Sequence, residues 1–142
     1  MRMQKYVFFF LLLFLSATLP VQAQIVVITH NSNPIPGLTV EELGRIYLGK
    51  QKKFTNGEYI KLSSQAPGSV IRKRFFKEVL DMSEDKVDRY WAKRKYVRNV
   101  PFPVKLKGDA AVKAWVASTP NSLGYIDSGS LDHSVKILLI LP

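Results

Sequence analysis

Hydroxyl groups, a glycine and an arginine lie close together between Ser64 and Arg72. Gly68 and Ser69 are both suited to the N-cap of the helix that begins there. A helix start offers unpaired backbone N–H groups and the positive end of the helix dipole. With Ser64 and Ser69 as hydroxyl donors and Arg72 one turn into the helix, the segment predicts a site for a small oxyanion.

A second interpretation of this stretch needs no ligand. The loop would simply connect a strand to an amphipathic helix, with Arg72, Lys73 and Lys77 directed toward solvent or the helix mouth. Residue types alone leave both interpretations open.

Other reactive side chains form no recognisable catalytic or metal-binding pattern. The chain has no cysteine, and its two histidines, His30 and His133, have neither metal-ligand spacing nor a nucleophile nearby in sequence. Asp127 and Asp132 flank turns, which favours roles as caps or turn residues. We therefore predict no enzyme activity, no metal and no cofactor.

The elements that would position the candidate site alternate between strands and helices. Ile25 to Ile28 is a β-branched apolar run typical of a central strand buried on both faces. The predicted order is strand, helix, strand, three helices and two strands. Their predicted starting points are Ile25, Thr39, Tyr59, Ser69, Ser83, Asp109, Leu123 and Val135, with Asp109 as the N-cap of the fourth helix. Val100 to Pro103 must be extended because two prolines prevent a helix there.

This order indicates an α/β fold with a mixed sheet flanked by helices. In such folds ligands bind outside the carboxyl ends of strands, near helix starts. The loops after Ile28 and after Leu62 are both expected in that position, which would add Ser32 to the candidate site. Trp91 is expected in the core.

Residues 1–23 have the composition of a secretory signal peptide. Arg2 and Lys5 precede an apolar run from Tyr6 to Leu15, and cleavage is expected after Ala23. The run is short for a membrane span, so residues 24–142 are predicted to form one exported domain that does not cross the membrane.

The net charge of +10 indicates an anionic partner. Phosphate esters, small oxyanions, acidic lipids and polysaccharides are the anions that an exported protein meets. Nucleic acid is not expected in that compartment, although the charge alone would permit it.

Several motifs, taken in order, resemble the phosphate-binding members of the type II periplasmic solute-binding proteins. They are Asn33-Pro34 after the first strand, Leu38-Thr39 at a helix start, Ile46-Tyr47-Leu48-Gly49-Lys50 at its end, Pro67-Gly68-Ser69 followed by Phe75, and Leu123-Gly124-Tyr125-Ile126. The resemblance covers nearly all of residues 24–142 and implies the fold of a single lobe of such a protein.

The resemblance implies a non-enzymatic, periplasmic receptor for phosphate or a similar oxyanion, with an ABC transporter or another envelope protein as partner. It assigns Gly68 as a backbone donor and Ser69 as a hydroxyl donor. Pro67 replaces the first serine of the family's Ser-Gly-Thr motif. The family's arginine a few residues before this motif is also missing, since Ser63-Ser64 occupy that region here. Arg72 as the source of charge, and Ser64 and Ser32 as contributors, are inferences from this sequence.

A hypothesis of a different class is a periplasmic protein-interaction module that has this fold without tight ligand binding. Its basic face would dock an envelope protein or an anionic surface polymer.

Overall fold

A computed structural model describes residues 23–97 and 102–142, which form a five-stranded mixed sheet flanked by helices. The strands are β1 (Ile25–Thr29), β2 (Lys61–Gln65), β3 (Val104–Leu106), β4 (Ser122–Asp127) and β5 (Lys136–Leu141). The helices are α1 (Val40–Tyr47), α2 (Val70–Leu80), α3 (Glu84–Arg94) and α4 (Asp109–Ser118), and a 3-10 turn spans Ser128–Ser130. The predicted α/β class is confirmed. The predicted signal peptide lies outside the described residues except for Ala23, as do Val100 and Pro101 of the predicted extended segment.

Strand direction decides which loops meet. The sheet order is β3-β2-β4-β1-β5. Strand β1 is antiparallel to both β4 and β5, whereas β2 is parallel to both β3 and β4. Thr29 at the end of β1 and Leu62 near the start of β2 both pair with Leu123. The carboxyl ends of β1 and β2 therefore lie at opposite ends of the sheet.

Apolar side chains cover both faces of the sheet, as predicted for β1. Because successive side chains alternate between faces, Ile25 and Val27 pack with α1, α2 and α3 in a larger core. Val26 and Ile28 pack on the other face in a smaller core that includes residues of α4. All five residues of β1 are buried, since both faces of this strand are covered.

Three helices begin at the side-chain caps that their sequences predict. Thr39 and Glu42 form a reciprocal capping box, with N–H to oxygen distances of 2.9 and 3.2 Å. Ser69 and Ser83 cap α2 and α3 by accepting the N–H of Arg72 and Lys86. Asp109 is not the N-cap of α4 as expected, because Gly108 occupies that position with φ +88°.

The polar residues Ser63, Ser64 and Gln65, assigned by sequence to a loop, belong to β2 and are buried. Their side chains find hydrogen-bond partners on β4, which lies some 60 residues away in sequence. Strand β3 was also not predicted. Its side chains are largely exposed, so it has no apolar pattern, and backbone pairing with β2 defines it.

Among the residues that the structure describes, no helix combines the length and the apolar character that crossing a bilayer requires.

Candidate functional site

The loop between β2 and α2 presents an open backbone at the start of a helix. Gly68 is exposed with φ +93°, and nothing lies within 4 Å of where a Cβ would be. Ser69 Oγ accepts the N–H of Arg72 at 3.2 Å. Helices α1, α3 and α4 each carry an acidic residue in the first turn, whereas α2 has none. The positive end of α2 is therefore not offset by a carboxylate of its own first turn.

A polar network lies directly behind this loop. The Ser69 hydroxyl donates to Gln65 Oε1 at 2.7 Å, and Gln65 Nε2 donates to the Asp109 carboxylate. Asp109 also accepts from the Asp127 N–H at 3.2 Å and from the Ser130 hydroxyl at 2.8 Å. Two hydrogen bonds thus connect the Ser69 hydroxyl to a negative charge. No local sequence pattern indicates this role of Asp109, because its partners come from β2, β4 and the 3-10 turn.

Ser64 lies deeper than Ser69 and is part of an aromatic framework. Its hydroxyl is 2.8 Å from the Tyr125 hydroxyl, which also accepts the Gln65 N–H at 3.1 Å. The Tyr125 ring stacks on Phe75 with a centroid distance of 3.8 Å. Burial raises the pKa of Tyr125 to about 12, so this hydroxyl keeps its proton well into the alkaline range.

Arg72 is buried rather than directed toward solvent, which corrects the expectation from sequence. Only 2% of the residue is exposed. Its guanidinium donates to Glu84 and Asp88 of α3, each at 2.7 Å, and lies 4.8 Å from the Phe76 ring centroid. A buried charge requires such partners, and the spacing of two carboxylates four residues apart on α3 was the available sequence signal. Two carboxylates thus already balance the charge assigned to oxyanion binding.

Ser32 lies apart from the other predicted site residues. It follows β1, whose carboxyl end is at the opposite end of the sheet from that of β2. Its hydroxyl is 2.7 Å from Nδ1 of His30 in an exposed loop. The expectation that both loops flank one site is wrong because β1 and β2 run in opposite directions.

A pocket of about 260 Å³ opens between α2, α3 and the segment that contains β3. Its walls include Arg72, Phe76, Trp91, Lys95, Phe102 and Lys105. Trp91, which the sequence assigned to the core, is partly buried in this wall. Helix α3 and the β3 segment meet only in the folded chain, so no local sequence pattern indicates the pocket.

Within residues 23–97 and 102–142, no three His, Cys, Asp or Glu side chains are grouped as a metal site would require.

No model of a known protein family matches this sequence. No curated protein matches it either.

Solved structures with the same fold include three bacterial proteins, two of which are described as phosphate transport proteins. An ABC-type phosphate transport receptor from Vibrio cholerae superposes with a TM-score of 0.65 at 20% identity. A protein from Clostridium perfringens, described as a phosphate ABC transporter substrate-binding protein with bound phosphate, has a TM-score of 0.63 at 24% identity. PstS from Borrelia burgdorferi has a TM-score of 0.61 at 21% identity.

Each superposition covers 82% of this chain and 46%, 45% and 47% of the respective receptor. The chain thus spans less than half the length of these receptors. The resemblance found in the sequence is confirmed at the level of the fold, in a form consistent with a single lobe.

Proposed function

We propose that this chain is an exported, non-enzymatic solute-binding protein that holds phosphate or a similar oxyanion at the start of α2. The observation that carries the proposal is the open start of α2, with Gly68 at φ +93° and no first-turn carboxylate, in a fold shared with phosphate receptors. A helix start of this kind suits an anion because its N–H groups lack intrahelical acceptors.

The proposed donors are the backbone N–H groups at Gly68 and Ser69 and in the first turn of α2. The Ser69 hydroxyl would join them by rotating its proton from Gln65 Oε1 to the anion. The Arg72 N–H is already capped by Ser69. Ser64 supports the loop through Tyr125, and Arg72 contributes a field that Glu84 and Asp88 largely offset. Ser32 is not included, since it lies at the other end of the sheet.

We expect modest affinity. The Asp109 carboxylate lies two hydrogen bonds behind the Ser69 hydroxyl and opposes a bound anion. Gly68 is exposed, so a ligand there remains partly hydrated, and water weakens electrostatic attraction.

The proposed location is the periplasm, reached through the predicted signal peptide of residues 1–23. The proposed partners are phosphate and an ABC transporter or another envelope protein. The net charge of +10 and the fold shared with phosphate transport proteins support these assignments.

Replacing Ser69 by aspartate provides a sharp test of the site. Aspartate is also an effective N-cap, so Ser69→Asp preserves the start of α2 while placing a negative charge where the anion would bind. Ser83→Asp is the matched control, because Ser83 caps α3 in the same way. In calorimetric titration with phosphate and sulfate, we expect saturable one-site binding by the parent and Ser83→Asp, and none by Ser69→Asp.

Equal phosphate binding by the two aspartate variants would place any anion site elsewhere. Circular dichroism spectra of both variants establish that their helices are retained. Titration with a polyanion at two salt concentrations distinguishes nonspecific binding from binding at a defined site. Nonspecific charge attraction weakens steeply as the salt concentration rises.

The second candidate is a protein-interaction module with this fold and no tight ligand. It is favoured by one observation: the chain itself already satisfies the Ser69 hydroxyl and the Arg72 guanidinium. Absence of any phosphate heat from the parent would support this candidate and make Ser69 a structural cap only.

A further inference from the structure

The pocket between α2, α3 and the β3 segment lies beside the proposed oxyanion loop, and Ser64 and Arg72 of the predicted site also line it. None of its lining residues lies between Ala66 and Ser69. Its volume is about 260 Å³, and a cavity of about 150 Å³ can accommodate benzene. The pocket therefore has room for one aromatic ring and a short side chain.

One wall of this pocket contains a buried donor without an acceptor. Among the residues that the structure describes, Nε of Arg72 is the buried side-chain nitrogen that lacks a hydrogen-bond partner. The other two guanidinium nitrogens are bound to Glu84 and Asp88. Buried donors are rarely left unpaired because desolvation without a hydrogen bond is unfavourable. Because this nitrogen is inaccessible to water, a ligand in the pocket does not reach it, and Arg72 contributes only a wall whose charge Glu84 and Asp88 offset.

The rest of the lining combines aromatic walls with two lysines and with the carboxylate of Asp88, which is paired with Arg72. Phe76 and Val87 are buried, and Trp91 and Phe102 contact each other with ring centroids 5.3 Å apart. Lys95 and Lys105 are exposed lining residues. Apolar walls with a few placed polar groups are typical of small-molecule sites.

We propose that this pocket binds a small aromatic carboxylate. The ring would lie against Trp91, Phe76 and Phe102. Lys95 and Lys105 would attract the carboxylate. This inference goes beyond the proposed oxyanion site and does not depend on it.

Tryptophan fluorescence provides a direct titration, because Trp91 lines the pocket and Trp115 packs on the opposite face of the sheet. With phenylacetate as the probe, we expect a saturable change in emission. Trp91→Phe should abolish the change, and Trp115→Phe should retain it. Phenylacetamide, which keeps the ring and lacks the charge, should bind more weakly.

Charge variants test the role of the two lysines. Lys105→Gln should weaken phenylacetate binding about two- to fivefold, the range expected for one exposed ion pair. Lys107→Gln is the matched control, since Lys107 is also exposed and does not line the pocket. Ala92→Phe fills the pocket from an exposed lining position and should abolish binding with little effect on the fold.

The proposal is overturned if phenylacetate causes no saturable change at millimolar concentrations, or if phenylacetamide binds equally well. It is also overturned if Ala92→Phe, shown to be folded by circular dichroism, binds like the parent. Ser69→Asp should leave phenylacetate binding unchanged, so failure of this site and failure of the oxyanion site are distinguishable.

Discussion

At the scale of single residues, the role of a buried polar group depends on the groups with which it forms hydrogen bonds or ion pairs. Arg72 is a basic residue near a helix start, yet Glu84 and Asp88 hold its guanidinium between α2 and α3. Tyr125 lies in a strand whose sequence is mostly apolar, yet its hydroxyl is hydrogen-bonded to the Ser64 hydroxyl and to the Gln65 N–H. Because an unpaired buried polar group is costly, such contacts restrict where these side chains can lie.

Tyr125 should make the protein less stable at high pH. Its pKa rises from the ordinary 10.0 to about 12 because burial disfavours the phenolate. Between these values the unfolded chain loses the proton and the folded chain keeps it, so the free energy of unfolding falls as pH rises. Two pH units correspond to at most about 3 kcal/mol. Urea unfolding from pH 9 to pH 12 should show a steeper fall for the parent than for Tyr125→Phe.

Tyr59→Phe serves as the control for this comparison, because Tyr59 is 66% exposed. Its unfolding free energy should follow the parent's dependence on pH. Equal slopes for the parent and Tyr125→Phe would show that other groups dominate the alkaline loss of stability.

At the scale of elements, the position of α4 depends on a glycine in β4. A Cβ on Gly124 would lie 2.7 Å from Ser63 Oγ and 2.8 Å from Val112 Cγ1. Gly124 therefore allows α4 and β2 to approach β4 closely. Gly44 in α1 is different, because the nearest atom to its added Cβ, the Val79 carbonyl oxygen, is 3.5 Å away.

Replacing each of these two glycines by alanine should change the stability of the protein in opposite directions. Gly124→Ala should destabilise the protein by about 1–3 kcal/mol, because overpacking displaces neighbouring side chains. Gly44→Ala should stabilise it by up to about 1 kcal/mol, because alanine is the better helix former. Thermal and urea unfolding measure both effects. A stabilising Gly124→Ala would show that α4 can shift at little cost.

At the scale of the whole molecule, strand direction separates the polar loops into two groups. The loop that contains Gly68 and Ser69 follows β2, which is parallel to its neighbours β3 and β4. The loop that contains Ser32 follows β1, which is antiparallel to its neighbours. A ligand at the start of α2 is therefore out of reach of Ser32.

Ser32→Ala should accordingly leave phosphate binding unchanged, within the error of calorimetric titration. Its hydroxyl pairs with His30 in an exposed loop, so the fold should also be unaffected. If Ser32→Ala weakened phosphate binding and Ser69→Asp did not, the anion would bind at the β1 end of the sheet.

The sequence by itself determined the features that depend on neighbours along the chain. Thr39 with Glu42, and the serines at 69 and 83, predicted helix starts because capping is local. The apolar run at Ile25 predicted a strand covered on both faces, and the alternation of elements predicted the α/β class. The motif order also led to the correct fold.

Only the tertiary structure decided the direction of β1, the burial of Ser63 to Gln65 and the pairing of Arg72 with α3. It also revealed strand β3 and the pocket beside Trp91. Each of these depends on groups brought together from separate segments, often tens of residues apart. A partner so distant leaves no local periodicity, and only the assembled sheet with its packed helices shows which polar groups meet.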